Sequence, residues 1–401
     1  MLAEFILTQI FVLTGHRKKS NFLNEKNRYS LKGLVIYFLK LGTTGFGGPV
    51  PLAGYMHRDL VEKRGWVSEE EYVKGLAFSK LAPGPFATQL ALYIAYIRSG
   101  ILGTTLVSIS FILPSFLMVI GLAIVYQKYG EMPWMTAAFY GISAAVLGIM
   151  VRSAYKLSRT ALGKNVVLWI VFGISAIATA LLEGEPIWLL IAAGLVNFLY
   201  MKRDTLFSRK QLNLFIPQYI LDVAPVIAGS RSFLDLFLYF AQAGTVVFGS
   251  GLAIVPFLYG GVVQQNHWLT NKQFLDAVAV AMITPGPLII TVAFIGYLVS
   301  SLPGAIAAAI GVFLPVYLFV VILTPFYERI VKNPDVRAFI GGVTAATTGA
   351  ILGSLVTLGR HSLTDIPSIA ITGITVGLLF RFKIPEPLIV LAAAIIGLIL
   401  L

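Results

Sequence analysis

Two short segments carry the residue types best suited to chemistry. They are Ser79-Lys80-Leu81-Ala82-Pro83-Gly84-Pro85-Phe86-Ala87-Thr88-Gln89 and Ile283-Thr284-Pro285-Gly286-Pro287-Leu288-Ile289-Ile290-Thr291. In each, two prolines flank a glycine. Proline lacks an amide hydrogen and clashes with the preceding turn, so a helix running through either segment must break. Proline is also favoured at the first position of a new helix. The spacing therefore predicts one half-helix ending and another starting at Pro83-Gly84-Pro85, and again at Pro285-Gly286-Pro287. A fresh N-terminus presents free N–H groups and a partial positive charge, which suits an anion. Thr88, Gln89 and Thr291 fall on the first turns after the breaks and add donors, and Thr284 immediately precedes the second. The plainer alternative is that each motif is only a packing kink.

A second pair of weak points is Phe46-Gly47-Gly48-Pro49 and Phe248-Gly249-Ser250-Gly251. Bare backbone there can approach the other half of the chain or a ligand, or simply allow close helix packing. Lys80 is the ionisable residue most clearly inside an apolar stretch, three residues before Pro83. A central lysine costs about 2.5–3.5 kcal/mol on insertion scales, which makes it a functional candidate; snorkelling or lining a wet vestibule is the alternative. Its counterpart in the second segment is Met282. Lys40 is a weaker candidate of the same kind. Glu71 and Asp276 fall at the starts of the broken helices and read as caps.

The elements that must position these residues are membrane helices. Of the 401 residues 57% are hydrophobic and 12% charged, with a mean hydropathy of +0.85, against roughly 25% charged in soluble domains. Six apolar stretches run from Leu31–Met56 to Ile187–Met201, and six more from Phe233–Tyr259 to Pro387–Leu401, each read as a span. The class is an all-α polytopic membrane protein with about 10–13 transmembrane helices and a Pro-Gly-Pro break in each half. Cysteine is absent and the four histidines are scattered, which excludes disulfides, thiol catalysis and cysteine metal sites and leaves no metal or cofactor expected. No nucleophile–base pair or ATPase signature occurs, so neither an enzyme nor a primary pump is expected. The net charge of +12 reads as basic cytoplasmic loops, with no nucleic-acid surface.

The chain is duplicated. Phe46-Gly47 matches Phe248-Gly249, Trp66 matches Trp268, and Pro83-Gly84-Pro85 matches Pro285-Gly286-Pro287, all at one offset of 202 residues. After a one-residue slip the match continues through Pro114 and Pro315 to Glu185-Pro186 and Glu386-Pro387. Expected boundaries are an extension over 1–32, a first repeat over 33–201, a linker over 202–232 and a second repeat over 233–401. In the first repeat the basic loops are Arg152–Lys164 and Lys202–Lys210; in the second they are Tyr327–Arg337 and Arg381–Lys383, at positions equivalent to the opposite loops. The bias swaps sides, which predicts inverted topology. Inversion needs an odd number of crossings, met either by an extra span within 212–229 or by a re-entrant element. Inverted repeats with broken helices are the layout of secondary transporters.

FGGP (Phe46–Pro49), Arg64-Gly65-Trp66, PGP (Pro83–Pro85), FGSG (Phe248–Gly251), HWLT (His267–Thr270), TPGP (Thr284–Pro287) and FIGY (Phe294–Tyr297) together resemble the chromate ion transporter family in its long two-repeat form, over about residues 33–401. The resemblance implies a multi-pass plasma-membrane carrier exporting chromate, with sulfate as the related dianion, and places the Pro-Gly-Pro regions in the transport core. The chain has Pro51-Leu52 where members often carry His, and Lys80 and Met282 where they often carry Gln. The expected partners are the bilayer and a small inorganic oxyanion, with a homodimer left open and the N-terminus cytoplasmic. An anion channel, or a carrier of another anion on the same fold, is the alternative.

Overall fold

The computed structural model describes residues 30–46, 48–184, 187–206, 232–249, 251–382 and 384–400. Helix α1 (Leu31–Thr44) starts at Ser30, whose hydroxyl accepts from the Gly33 amide at 2.9 Å. It stops before Gly45, and the chain resumes as α2 (Pro49–Met56), extended by a π-turn over His57–Lys63. This second leg runs back along the first: Gly45 meets Leu52, the Arg64 guanidinium lies 5.4 Å over the Tyr37 ring, and Gly33 meets Trp66. Leu34, Phe38, Leu52, Met56 and Leu60 fill the space between the legs.

A second hairpin follows. Helix α3 (Glu69–Leu81) opens with a capping box in which Ser68 and Glu71 satisfy each other's amides. It ends before the extended pair β1 (Gly84–Pro85), after which α4 (Phe86–Tyr129) begins. Gly75 packs on Leu90 and Tyr93, the Phe78 and Tyr93 rings stand 5.3 Å apart, and Glu71 is ion-paired with Arg98. Those contacts pair early residues of one leg with late residues of the other, so the legs are antiparallel and Pro-Gly-Pro is the tip. Helix α4 is itself cornered at Ser99 (φ −139°, ψ 15°) and Gly100 (φ 60°, ψ −150°), which separates the return leg, 86–98, from a long helix over 101–129. Helices α5 (Pro133–Leu162), α6 (Val166–Leu182) and α7 (Ile187–Leu206) complete the repeat.

The second half repeats the order. Helix α8 (Phe233–Val246) leads to β2 (Phe248–Gly249), a 3-10 turn over Gly251–Ile254, α9 (Val255–Leu258) and a π-turn over Tyr259–Gln265. Tyr239 stacks on Phe257 at 5.4 Å and meets Trp268 edge-on at 5.3 Å, closing this hairpin as Trp66 closes the first. Helix α10 (Asn271–Ile283), capped by a Thr270/Gln273 box, packs against α11 (Thr291–Leu323), which follows a 3-10 turn over Leu288–Ile290 and is cornered at Ser300 and Ser301. Helices α12 (Tyr327–Val331), α13 (Pro334–Ser362), α14 (Ile366–Arg381) and α15 (Glu386–Leu400) follow.

The stretches Leu31–Met56 and Phe233–Tyr259, read as single spans, are thus hairpins, and the helices expected to break at Pro-Gly-Pro fold back there as hairpins too. Each Pro-Gly-Pro removes two amide donors from its helix, and at the other two breaks glycine lets the chain leave the helical conformation, so the chain turns there. Among the described residues four helices are long and apolar enough to cross a membrane, Phe86–Tyr129, Pro133–Leu162, Leu288–Val331 and Pro334–Ser362, with five shorter apolar ones beside them. The extra span considered over 212–229 lies outside the described residues, as do nearly all of the 1–32 extension and the linker.

The repeats exchange their last helices. Helix α5 packs between α14 and α15, and α13 packs between α6 and α7. Glycines permit the contact: a Cβ on Gly141 would sit 1.9 Å from the Ala393 carbonyl oxygen, and one on Gly349 would sit 2.2 Å from that of Phe172. Along α5 and α14 the pairs are Tyr140 with Asp365, Ala144 with Thr372, Gly148 with Thr375, and Tyr155 with Phe380, so these two helices run in the same direction.

Candidate functional site

Each Pro-Gly-Pro tip lies against the glycine break of the opposite repeat. The Gly84 amide donates to the Val247 carbonyl at 2.6 Å, and the Gly286 amide donates to the Gly45 carbonyl at 2.8 Å. These two bonds are equivalent under the duplication, since 45 and 84 each become 247 and 286 at the 202-residue offset. In the first case the contact extends to a two-residue parallel ladder, Gly84 beside Phe248 and Pro85 beside Gly249. Two tips, two breaks and both halves of the chain therefore build one interface.

Both tip glycines have backbone angles that L side chains rarely adopt, φ +128° at Gly84 and +95° at Gly286. Neither has room for a side chain. A Cβ on Gly84 would stand 2.5 Å from Gln89 Nε2 and 2.9 Å from a Val316 methyl, and one on Gly286 would stand 2.0 Å from Ser115 Oγ. Ser115 in turn donates to the Gly42 carbonyl at 3.2 Å. Val316 belongs to α11 and Ser115 to α4, so each tip is seated on the long helix of the other repeat.

The helices that leave the tips are not capped by side chains: Pro85 is the cap of α4 and Pro287 the cap of the Leu288–Ile290 turn, and neither accepts from a following amide through its side chain. Their leading N–H groups keep the electropositive character of a helix start. Thr88 and Gln89 are fully buried. The Gln89 side-chain amide donates to the Pro83 carbonyl and closes the tip, while its Oε1 and the Thr88 hydroxyl are buried with no partner among the described residues. Such orphans are rare and costly unless something meets them. Thr284 and Thr291 differ, because Thr284 bonds back to the Val280 carbonyl at 3.1 Å and Thr291 to the Leu288 carbonyl at 2.9 Å. Their hydroxyl protons hold the local helix turns.

The remaining candidates spread outward. Pro83 is half-buried, and Pro85, Pro285 and Pro287 are buried. Gly251 is buried against Leu288, Phe248 is half-buried, and Phe46 is 38% exposed at the first break. Gly48 has φ +77° with open space where a Cβ would stand. Gly47 and Ser250 lie outside the described residues. Lys80 occupies the last turn of α3, yet its side chain is on the exposed face with Val73, not at the buried tip, whereas Met282 is buried. Lys40 is likewise exposed, one turn before Thr44.

Asp276 corrects the expectation of a cap. The Thr270/Gln273 box already caps α10, and Asp276 lies more than a turn further in, 1% exposed. It accepts from the Tyr126 hydroxyl at 2.6 Å and from the Ser143 hydroxyl at 3.3 Å. The carboxylate therefore ties the second Pro-Gly-Pro hairpin to α4 and α5 of the first repeat. Glu71 does cap α3 and in addition pairs with Arg98. Tyr126 and Ser143 carried no sequence signal, because their partner is 150 and 133 residues away.

A sequence profile of the family described as Chromate transporter matches residues 32–198 and 234–398. The chromate transport protein of Cupriavidus metallidurans is 50% identical over 378 residues, covering 92% of this chain and 93% of that protein. The probable chromate transport protein of Synechococcus elongatus is 49% identical over 388 residues, covering 96% and 99%. The chromate transport protein of Pseudomonas aeruginosa is 29% identical over 387 residues, covering 91% of each. No solved structure matches.

Proposed function

Because the chain belongs to the chromate transporter family and is therefore a membrane transport protein and not an enzyme, we propose that it is a secondary carrier exporting a divalent tetrahedral oxyanion, chromate foremost and sulfate as its chemical relative, across the plasma membrane. The observation that carries this reading is the pair of uncapped half-helix starts at Pro85 and Pro287, brought to one interface by the Gly84–Val247 and Gly286–Gly45 bonds. Two helix starts with the Thr88 hydroxyl, unpartnered among the described residues, offer a dianion fixed donors, and among those residues no buried acid competes at the tips. Lys80 and Lys40, exposed near the tips, add positive potential along a wet approach, since facing lipid is costly for either.

The repeats, 33–201 and 233–401 with 202–232 between them, run in opposite directions in this reading. Helix α6 leaves α5 by a turn of three residues, 163–165, too short to recross a bilayer. It must therefore run back along α5, whereas α14, its repeat equivalent, runs alongside α5 in the same direction. The loop charges agree. The basic ends of α5 and α14 meet through Tyr155 and Phe380, and those of α7 and α13 meet through the Lys202–Asp335 ion pair at 2.6 Å. Placing both basic ends in the cytoplasm satisfies the positive-inside bias in both halves. Alternating access then comes from the hairpins moving against the exchanged helices. An inside-negative potential favours outward movement of a dianion by roughly 2.3 kcal/mol per charge per 100 mV.

Counterflow in sulfate-loaded proteoliposomes tests the reading, with chromate, sulfate, phosphate and chloride supplied outside. Uptake of chromate and sulfate that requires internal sulfate, and is absent for chloride, is the expected result. Ion currents at single-channel rates, or no exchange of any tetrahedral anion by folded protein, would overturn it.

A further inference from the structure

A cavity of about 410 Å³ opens between the last turns of α5 and α14, far along the chain from either tip. One wall is basic. Arg152, Lys156 and Arg159 occur at helical i, i+4 and i+7 spacing, which places them on one face of α5, with Thr160 beside them. None of the three cations forms an ion pair among the described residues, and the acid facing Arg152 and Lys156 is Glu386, half-buried at the start of α15. Among the described residues three positive charges thus line the cavity, with one acid near two of them. The other wall is apolar: Leu379 is buried, while Tyr155 and Phe380 are 51% and 52% exposed and meet edge-on at 5.2 Å.

This combination has a specific chemistry. The cavity stands at the ends of two apolar helices, where a bilayer passes from hydrocarbon to headgroups, and exposed aromatic rings favour that level. Surplus cations there attract anionic headgroups. A free oxyanion needs the cations and gains nothing from exposed aromatic and aliphatic walls. A phospholipid uses both, its phosphate on the cations and its glycerol and first methylenes along Tyr155 and Phe380. We propose that this cavity binds the headgroup of an anionic phospholipid, which joins α5 of the first repeat to α14 of the second.

Native mass spectrometry of the full-length protein tests the site, after exchange into a neutral detergent containing phosphatidylglycerol or phosphatidylcholine. The protein is expected to retain phosphatidylglycerol over phosphatidylcholine, and the Arg152→Gln/Lys156→Gln/Arg159→Gln variant is expected to bind it more weakly by on the order of a hundredfold, at about fivefold for each cation. Neutralising Arg329, Lys332 and Arg337 together, away from the cavity, is expected to leave retention unchanged. Millimolar inorganic phosphate or sulfate is expected not to displace the lipid; displacement assigns the cations to a free anion and overturns the proposal. Equal retention of the two lipids by the unmodified protein overturns it as well, and that comparison needs no variant to fold.

Discussion

Gly84 and Gly286 are held by two independent constraints, and the pair can be separated by experiment. The first is backbone conformation: with φ at +128° and +95°, any L side chain is strained, on the order of 1–2 kcal/mol. The second is space, and here the two sites differ. Gly286 faces the Ser115 hydroxyl, while Gly84 faces Gln89 and Val316. Gly84→Ala and Gly286→Ala are each expected to lower thermal stability and exchange rate. Adding Ser115→Gly is expected to recover part of the Gly286→Ala loss and none of the Gly84→Ala loss, read by fluorescence-detected size-exclusion melting and by sulfate counterflow. Equal rescue of both would mean that the overlaps are not what the glycines avoid. The helix break at these points was legible in the sequence, because two prolines around a glycine remove two amide donors. The need for the glycine itself was not, because it depends on the positive φ and on neighbours distant in the chain. The side to which Lys80 turns was not legible. Its neighbours give no helical phase that separates the tip from the exposed face of α3, and the structure leaves it on the latter.

At the scale of elements, the second Pro-Gly-Pro hairpin is tied down by one buried carboxylate. Asp276 takes its partners from α4 and α5, across the repeat boundary, through the hydroxyls of Tyr126 and Ser143. The equivalent position in the first hairpin is Lys74, which pairs at the surface with Glu70 at 2.6 Å. The buried polar tie to the other repeat is thus present in the second hairpin at this position, while in the first the equivalent residue pairs within its own helix. Removing a buried acceptor strands its donors at about 1–3 kcal/mol. Asp276→Ala is therefore expected to destabilise the protein by that amount, and Asp276→Asn by less, because an amide oxygen still accepts from Tyr126. Tyr126→Phe combined with Asp276→Ala is expected to cost less than the two losses added, a coupling readable from a double-mutant cycle. Strict additivity would show that the bond does not hold the hairpin. Sequence periodicity cannot reach such a contact. It placed a helix start near Asp276, but an acid early in an apolar run reads as a cap until the residue that meets it is known.

The whole molecule is two halves that cannot be lifted apart, since α5 is enclosed by α14 and α15 and α13 by α6 and α7. The repeat spacing was visible in Pro, Gly and Trp alone, but the exchange was not, because helix pairing between halves leaves only small residues such as Gly141 and Gly349 as its trace. The same exchange makes the direction of the repeats testable, and the absence of native cysteine supplies a clean background. Lys164, Thr364 and Phe382 are all exposed in turns at helix ends. Lys164 follows α5 and Phe382 follows α14, two helices that run together, so cysteines at these positions are expected to react from the same side of sealed membranes. Thr364 precedes α14 and is expected to react only from the other side, although Thr364 and Lys164 occupy equivalent turns of the two repeats. A membrane-impermeant maleimide applied to right-side-out and inside-out vesicles distinguishes the arrangements. Labelling of Lys164→Cys and Thr364→Cys from one side would mean parallel repeats, and the tips would then face a single compartment instead of serving both.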